Sequence, residues 1–107
     1  PLREFIYSED VGELTQLVLD HYEGEDPLIL STGEEHTIRQ VVIAIADAFD
    51  FQGQIVYDID KPNGQHRKPT SNLLLKNFVP EYKFTPFEEG IKKTVDWFVE
   101  NYEECRK

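Results

Sequence analysis

Hydrophobic and polar positions along the chain follow two different periods, and together they predict an α/β fold. Residues 8–22 and 38–49 carry apolar side chains at helical spacing, and the first of these helices begins at Ser8 or Asp10. The second follows a capping box, T-I-R-Q at 37–40, in which the threonine and glutamine side chains accept hydrogen bonds from each other's backbone N–H groups. The two stripes consist of Val11, Leu14, Leu17, Val18 and Tyr22, and of Ile38, Val41, Val42, Ile45 and Phe49.

Two further helices are predicted in the last third of the chain. Residues 71–78 read as a short helical turn. A longer helix has a strong start signal, with Thr85 as N-cap, Pro86 at the first helical position and Glu88 two positions later. Its apolar face comprises Phe87, Ile91, Val95, Phe98 and Tyr102, and its expected surface ion pairs are Glu88 with Lys92 and Glu89 with Lys93.

Short strands are predicted between these helices. Residues 3–7 form a short strand or extended segment, 28–30 an apolar strand of the buried type, and 54–59 an alternating strand. The expected fold is therefore α/β, with few short strands and about three to four helices, in a single domain spanning residues 1–107. A sheet this thin needs another layer to cover it, which favours a piece of something larger.

Charge and cysteine content narrow the classes of function. The chain has 21 acidic and 11 basic residues and a formal net charge of −10, whereas nucleic-acid binding depends on clustered Lys and Arg. The single cysteine, Cys105, excludes an internal disulfide and is typical of a reducing compartment. No apolar run approaches membrane-spanning length, and no basic segment precedes an apolar one. We therefore expect a soluble cytoplasmic protein that binds neither nucleic acid nor membrane.

The sequence contains no set of residues that would perform catalysis or hold a metal. The glycines are too scattered for a dinucleotide-binding turn, and the three histidines and Cys105 lie in different predicted elements. Tyr57 and Lys61 have the spacing of a proton-transfer pair, but that pair requires a helix. In the extended segment predicted here, four residues span about 13 Å, so we predict no catalytic role for either side chain.

One short loop has the charge expected of an anion site. It contains Lys61, Arg67 and Lys68 without a carboxylate, and an Asn-Gly turn beginning at Asn63 can present backbone N–H groups. The loop either binds phosphate or is a solvated turn that offsets the negative surface. Arg3 raises the same question, because its guanidinium fork suits a diphosphate but also suits a neighbouring carboxylate.

Four segments together carry a resemblance to a known family. They are P-L-R-E-F-I-Y-S-E-D at 1–10, I-L-S-T-G-E-E-H-T-I-R at 29–39, D-I-D-K-P-N-G-Q-H-R-K at 58–68 and F-T-P-F-E-E-G-I-K-K-T-V-D-W-F at 84–98. The chain resembles, nearly from end to end, the C-terminal part of the GDP-L-fucose synthases, which are extended short-chain dehydrogenase/reductases. The first segment is shared among nucleotide-sugar epimerases and reductases, whereas the third and fourth are more specific to the fucose synthases.

The resemblance implies a function for a longer parent enzyme. The family converts GDP-4-dehydro-6-deoxy-D-mannose to GDP-L-fucose by epimerisation and NADP-dependent reduction. Its NADP and its catalytic groups belong to an N-terminal Rossmann domain, and the complete enzyme is a homodimer. We therefore expect this chain to be a GDP-sugar-binding fragment that lacks the Rossmann domain, binds no cofactor itself and is inactive alone.

The resemblance also implies which residues bind the substrate. In the family, the arginine that corresponds to Arg3 and the lysine that corresponds to Lys68 contact the GDP diphosphate or its surroundings. Asn63 stands where the family commonly has Asp, which binds the nucleotide portion, so hydrogen bonding is kept and the charge is lost. Arg67 and Lys61 would support the same anionic site.

Two alternatives to this interpretation stay open at the level of the sequence. One is the substrate domain of another nucleotide-sugar epimerase or reductase that uses a different base. The other is a non-catalytic acidic domain that binds a protein partner through an exposed apolar face.

Overall fold

The computed structural model describes residues 1–57 and 70–105, which form four helices and one two-stranded sheet. This architecture confirms the α/β class. The elements in chain order are β1 (Leu2–Glu4), α1 (Ser8–His21), β2 (Glu35–Thr37), α2 (Ile38–Ala48), α3 (Leu73–Phe78) and α4 (Phe87–Glu100).

The sheet is a short antiparallel ribbon in which Arg3 lies opposite His36 and Glu4 opposite Glu35. The prediction of a strand at 28–30 is wrong, and residues 54–57 are likewise outside any strand. Within residues 1–57 and 70–105, neither segment has a neighbouring strand with which to share backbone hydrogen bonds, and alternation alone cannot supply one. Residues 54–57 are all exposed, so their alternating pattern does not mark a buried face. Residues 58 and 59 of that predicted strand lie outside the described residues.

Helix α2 begins as the sequence predicts. The Thr37 Oγ1 accepts a bond of 3.0 Å from the Gln40 backbone N–H, and the Gln40 side chain accepts one of 2.7 Å from the Thr37 N–H. The capping box therefore fixes the point at which β2 turns into α2. The helix packs on α4, where the rings of Phe49 and Phe98 meet edge to face with centroids 6.2 Å apart.

Two details at α4 differ from the prediction. Pro86, not Thr85, precedes the first helical residue, and no side chain caps the helix. The Thr85 hydroxyl instead donates to a carboxylate oxygen of Asp10 at 2.9 Å. Lys93 pairs with Glu89 at 3.2 Å as expected. Its neighbour Lys92, however, binds Asp96 at 2.7 Å instead of Glu88.

The buried apolar core of the described residues is small. It consists of Leu14, Leu75 and Val95. The radius of gyration, 16.4 Å, exceeds the value of about 13 Å expected for a compact domain of this length. Much apolar surface consequently stays open, and on α2 and the residues after it this surface includes Ile45, which is 38% exposed, and Phe49, which is 44% exposed.

Neither a membrane span nor a metal site is seen in the part of the chain that the structure describes. None of its helices combines the length and the apolar character needed to cross a lipid bilayer. No three His, Cys, Asp or Glu side chains among these residues are grouped so as to hold a metal ion.

Candidate functional site

Arg3, the first candidate residue, lies in the middle of β1. Pro1 accepts a ladder hydrogen bond from the Ile38 N–H at 3.2 Å, and in an antiparallel pair such bonds alternate along the strand. The Leu2 carbonyl therefore points away from β2, towards the outer edge of the ribbon. The Arg3 Nη1 donates to this carbonyl at 2.7 Å. The bond places the half-buried guanidinium along the outer edge of β1.

The other predicted substrate-binding residues lie outside the described residues. They are Lys61, Asn63, Arg67 and Lys68, and the structure therefore neither joins them to Arg3 nor separates them from it.

Tyr57 and Thr70, the described residues on either side of 58–69, are both held near the ribbon. On the N-terminal side, the ring of Tyr57 lies under the guanidinium of Arg39, whose carbon is 4.9 Å from the ring centroid. On the C-terminal side, the Thr70 hydroxyl donates to a Glu4 carboxylate oxygen at 2.6 Å. Glu4 follows Arg3 in β1, and Arg39 lies in the first turn of α2. Tyr57 and Thr70 are therefore both attached to the unit formed by β1, β2 and α2.

Arg39 is a cation that the sequence reasoning did not single out. In the described part of the chain it makes no ion pair, and its contact is with the Tyr57 ring. Seventeen residues separate the two in the sequence, so no linear pattern links them. One sequence signal could have drawn attention to Arg39: it lies inside the capping box at 37–40, at a position outside the apolar stripe of the helix that follows.

The immediate surroundings of His36 are acidic and aromatic. The His36 ring stacks on Phe87 with centroids 3.9 Å apart, and its Nε2 lies 3.7 Å from a Glu34 carboxylate oxygen. A cleft of about 360 Å³ lies between His36 and the start of α4. Because its lining is mainly apolar and includes Glu34, the cleft does not suit an anion.

A separate polar cluster holds α1 against the residues that precede α4. The buried carboxylate of Asp10 accepts hydrogen bonds from the Thr85 N–H at 2.8 Å, from the Thr85 hydroxyl at 2.9 Å and from the Tyr82 hydroxyl at 3.3 Å. Burial and the nearby carboxylates of Asp10 and Glu13 raise the pKa of Tyr82 above its ordinary value. Each polar group of this cluster has a partner within it, so we assign the cluster a structural role.

Comparison with known proteins gives close matches over the whole chain. No family model matches. The chain is 47% identical to a Drosophila melanogaster protein named "Probable GDP-L-fucose synthase" and 45% identical to the GDP-L-fucose synthase of Dictyostelium discoideum. Each match covers 100% of this chain and 34% of the relative. The chain therefore spans about a third of the length of the curated relatives it matches.

Solved structures give the same result for the fold. Two crystal structures of a GDP-L-fucose synthetase from Naegleria fowleri, one of them bound to NADP, superpose with TM-scores of 0.96 and 0.97 at 43% identity. The match covers all of this chain and 34% of theirs, so the fold is that of one part of a GDP-L-fucose synthetase. Sequence and fold together identify the chain as a homologue of the C-terminal part of GDP-L-fucose synthase.

Proposed function

We propose that this chain is the GDP-sugar-binding part of a GDP-L-fucose synthase, an enzyme that converts GDP-4-dehydro-6-deoxy-D-mannose to GDP-L-fucose. The observation that carries the proposal is the end-to-end match of sequence and fold to proteins of that name, at 47% identity and a TM-score of 0.96. In this enzyme NADPH supplies the hydride that reduces the keto group. We propose that the N-terminal part of the enzyme binds NADPH and also carries the residues that perform epimerisation and proton transfer.

The role of this chain is to hold the nucleotide diphosphate and so orient the sugar. Arg3 and Lys68 would bind the diphosphate, Asn63 would hydrogen-bond the nucleotide portion, and Lys61 and Arg67 would add positive charge. Two contacts support this arrangement. The Arg3 guanidinium lies along the outer edge of β1, and Thr70, which follows Lys68 by two residues in the sequence, is bonded to the strand that carries Arg3.

The proposal extends to the cellular setting of the enzyme. The complete enzyme would act in the cytoplasm as a homodimer whose partners are its GDP-sugar substrate and the N-terminal Rossmann domain. Nucleic acid is not a partner on this proposal, since the chain carries a formal net charge of −10.

Titration of isotope-labelled chain with GDP, followed by backbone amide shifts, tests the proposal. Adenosine diphosphate and uridine diphosphate are the matched controls for the base. We expect amides around Arg3 and within 61–68 to move with GDP and to move less with either control. A dissociation constant in the millimolar range, about −4 kcal/mol, is still measurable by this method.

Matched variants separate the possible outcomes. Arg3→Gln and Lys68→Gln should weaken GDP binding, whereas Lys92→Gln, with the same change in charge on α4, should not. Equal shifts with all three nucleotides would contradict guanine recognition by this chain. If no amide moves, the chain does not bind the nucleotide alone. An unchanged KM for the GDP-sugar in the Arg3→Gln variant of the complete enzyme would then contradict the site itself.

A further inference from the structure

Among the described residues Arg39 forms no ion pair with a carboxylate, although the chain has 21 acidic residues. It is exposed, and it lies in the first turn of α2. On so acidic a surface, an arginine placed without regard to function would readily find a carboxylate within reach. The absence of an ion pair at Arg39 among the described residues leaves its charge uncompensated by them and attractive to an anion.

The Tyr57 ring gives this cation a fixed orientation. The guanidinium carbon lies 4.9 Å from the ring centroid, within the range of a cation–π contact. A guanidinium is planar and its five N–H donors lie in that plane, so an aromatic ring that supports one face does not occupy the donors. Support of this kind lowers the conformational entropy lost when an anion binds.

The position of Arg39 connects it to Arg3. Arg3 is paired with His36, and Arg39 follows His36 by three residues. The two Cα atoms can therefore be no more than about 17 Å apart, because directly paired strand residues are about 5.5 Å apart and successive Cα atoms about 3.8 Å. One elongated ligand can thus reach both guanidinium groups.

We infer that Arg39 is a further phosphate-binding residue of this chain, oriented by Tyr57, and that it contacts the diphosphate of the nucleotide sugar beside Arg3. The inference deepens the proposed function and rests on it. A bidentate contact to two phosphate oxygens is the interaction that the planar fork favours.

The test follows the side-chain Nε–H signal of Arg39 in the labelled chain. Pyrophosphate, GDP and guanosine are titrated separately, up to several millimolar. We expect the signal to move with pyrophosphate and with GDP but not with guanosine, which has no phosphate. An Arg39 signal that stays in place with both phosphate ligands overturns the inference. So does an equal shift with guanosine.

Variants test the contribution to affinity and the role of the ring. Arg39→Gln should weaken GDP binding about fivefold, as expected for one exposed charged contact, while Lys92→Gln leaves it unchanged. Arg39→Lys should recover part of the loss, because it restores the charge without the fork. Tyr57→Phe keeps the ring and should bind like the unaltered chain, whereas Tyr57→Leu should bind more weakly.

The outcomes for Arg39 and for the proposed function can be told apart. Normal GDP affinity in Arg39→Gln, together with weakened binding in Arg3→Gln, would refute the role of Arg39 and leave the proposed function standing. An Arg39 signal that moves with pyrophosphate, together with equal affinity for all nucleotides, would support the phosphate contact and contradict guanine recognition.

Discussion

Replacement of Asp10 should destabilise the fold more than replacement of any other carboxylate in the first turn of α1. Its side chain is 4% exposed and accepts two short hydrogen bonds from Thr85 and a longer one from Tyr82. A hydrogen bond to a charged group contributes about 1.5–3 kcal/mol, and bonds that share one carboxylate are not additive. We therefore expect Asp10→Ala to lower the free energy of unfolding by about 3 kcal/mol.

Urea unfolding at neutral pH, followed by far-ultraviolet circular dichroism, measures this effect. Glu9→Gln is the matched control, because Glu9 occupies the same helical turn but is exposed. Its removal affects the interaction with the helix dipole, which contributes about 0.3–1 kcal/mol, and surface contacts with Tyr7 and Lys93. A double-mutant cycle with Thr85→Val should show a coupling energy of about 1–2 kcal/mol between Asp10 and Thr85. If Asp10→Ala costs no more than Glu9→Gln, the carboxylate does not hold α1 against the residues before α4.

Two further predictions concern the core and the response to alkaline pH. Leu14→Ala should lower the free energy of unfolding by about 2–5 kcal/mol, because Leu14 is fully buried. Leu19→Ala should lower it by less than about 0.5 kcal/mol, because that side chain is 77% exposed. Similar losses for the two variants in urea unfolding would contradict the assigned core. The raised pKa of Tyr82 means that the native chain keeps this proton after the unfolded chain has lost it near pH 10.0. Its stabilising contribution is thus complete below pH 10.0 and declines as the pH rises further, so Tyr82→Phe should show a shallower alkaline loss of stability; equal slopes would rule this out.

Helices were predictable here because their signals are local. The capping box at Thr37 and Gln40 and the apolar stripes lie within single stretches of sequence, and the helices form where those signals stand. At Thr85 the local signal misled, because the backbone N–H and the hydroxyl of Thr85 both donate to Asp10, far away in the sequence, and Thr85 lies one position before the N-cap of α4. A cap is therefore predictable only where no distant residue fixes the position of the capping side chain.

The strands and the candidate site depend on contacts between distant residues, and no local sequence pattern indicates which residues will meet. The strand E-H-T at 35–37 has no apolar alternation, and it becomes a strand only because β1 supplies backbone partners. Arg3 could be proposed from its residue type and from the resemblance, but its position along the outer edge of β1 could not. The contact of Arg39 with Tyr57 was likewise not predictable, because it joins residues that are distant in the chain.

The bonds between Asp10 and Thr85 also constrain how the chain can fold during synthesis. They join residues 75 positions apart, so α1 leaves the ribosome long before its docking site exists. At about 5–20 residues per second, the interval between the two is roughly 4–15 seconds. During that time α1 is a helix without its tertiary contacts, a state in which a helix of this length is only marginally stable. The four carboxylates of α1 keep this segment hydrated until the residues before α4 have been synthesised. Asp10, which then binds Thr85, is one of the four.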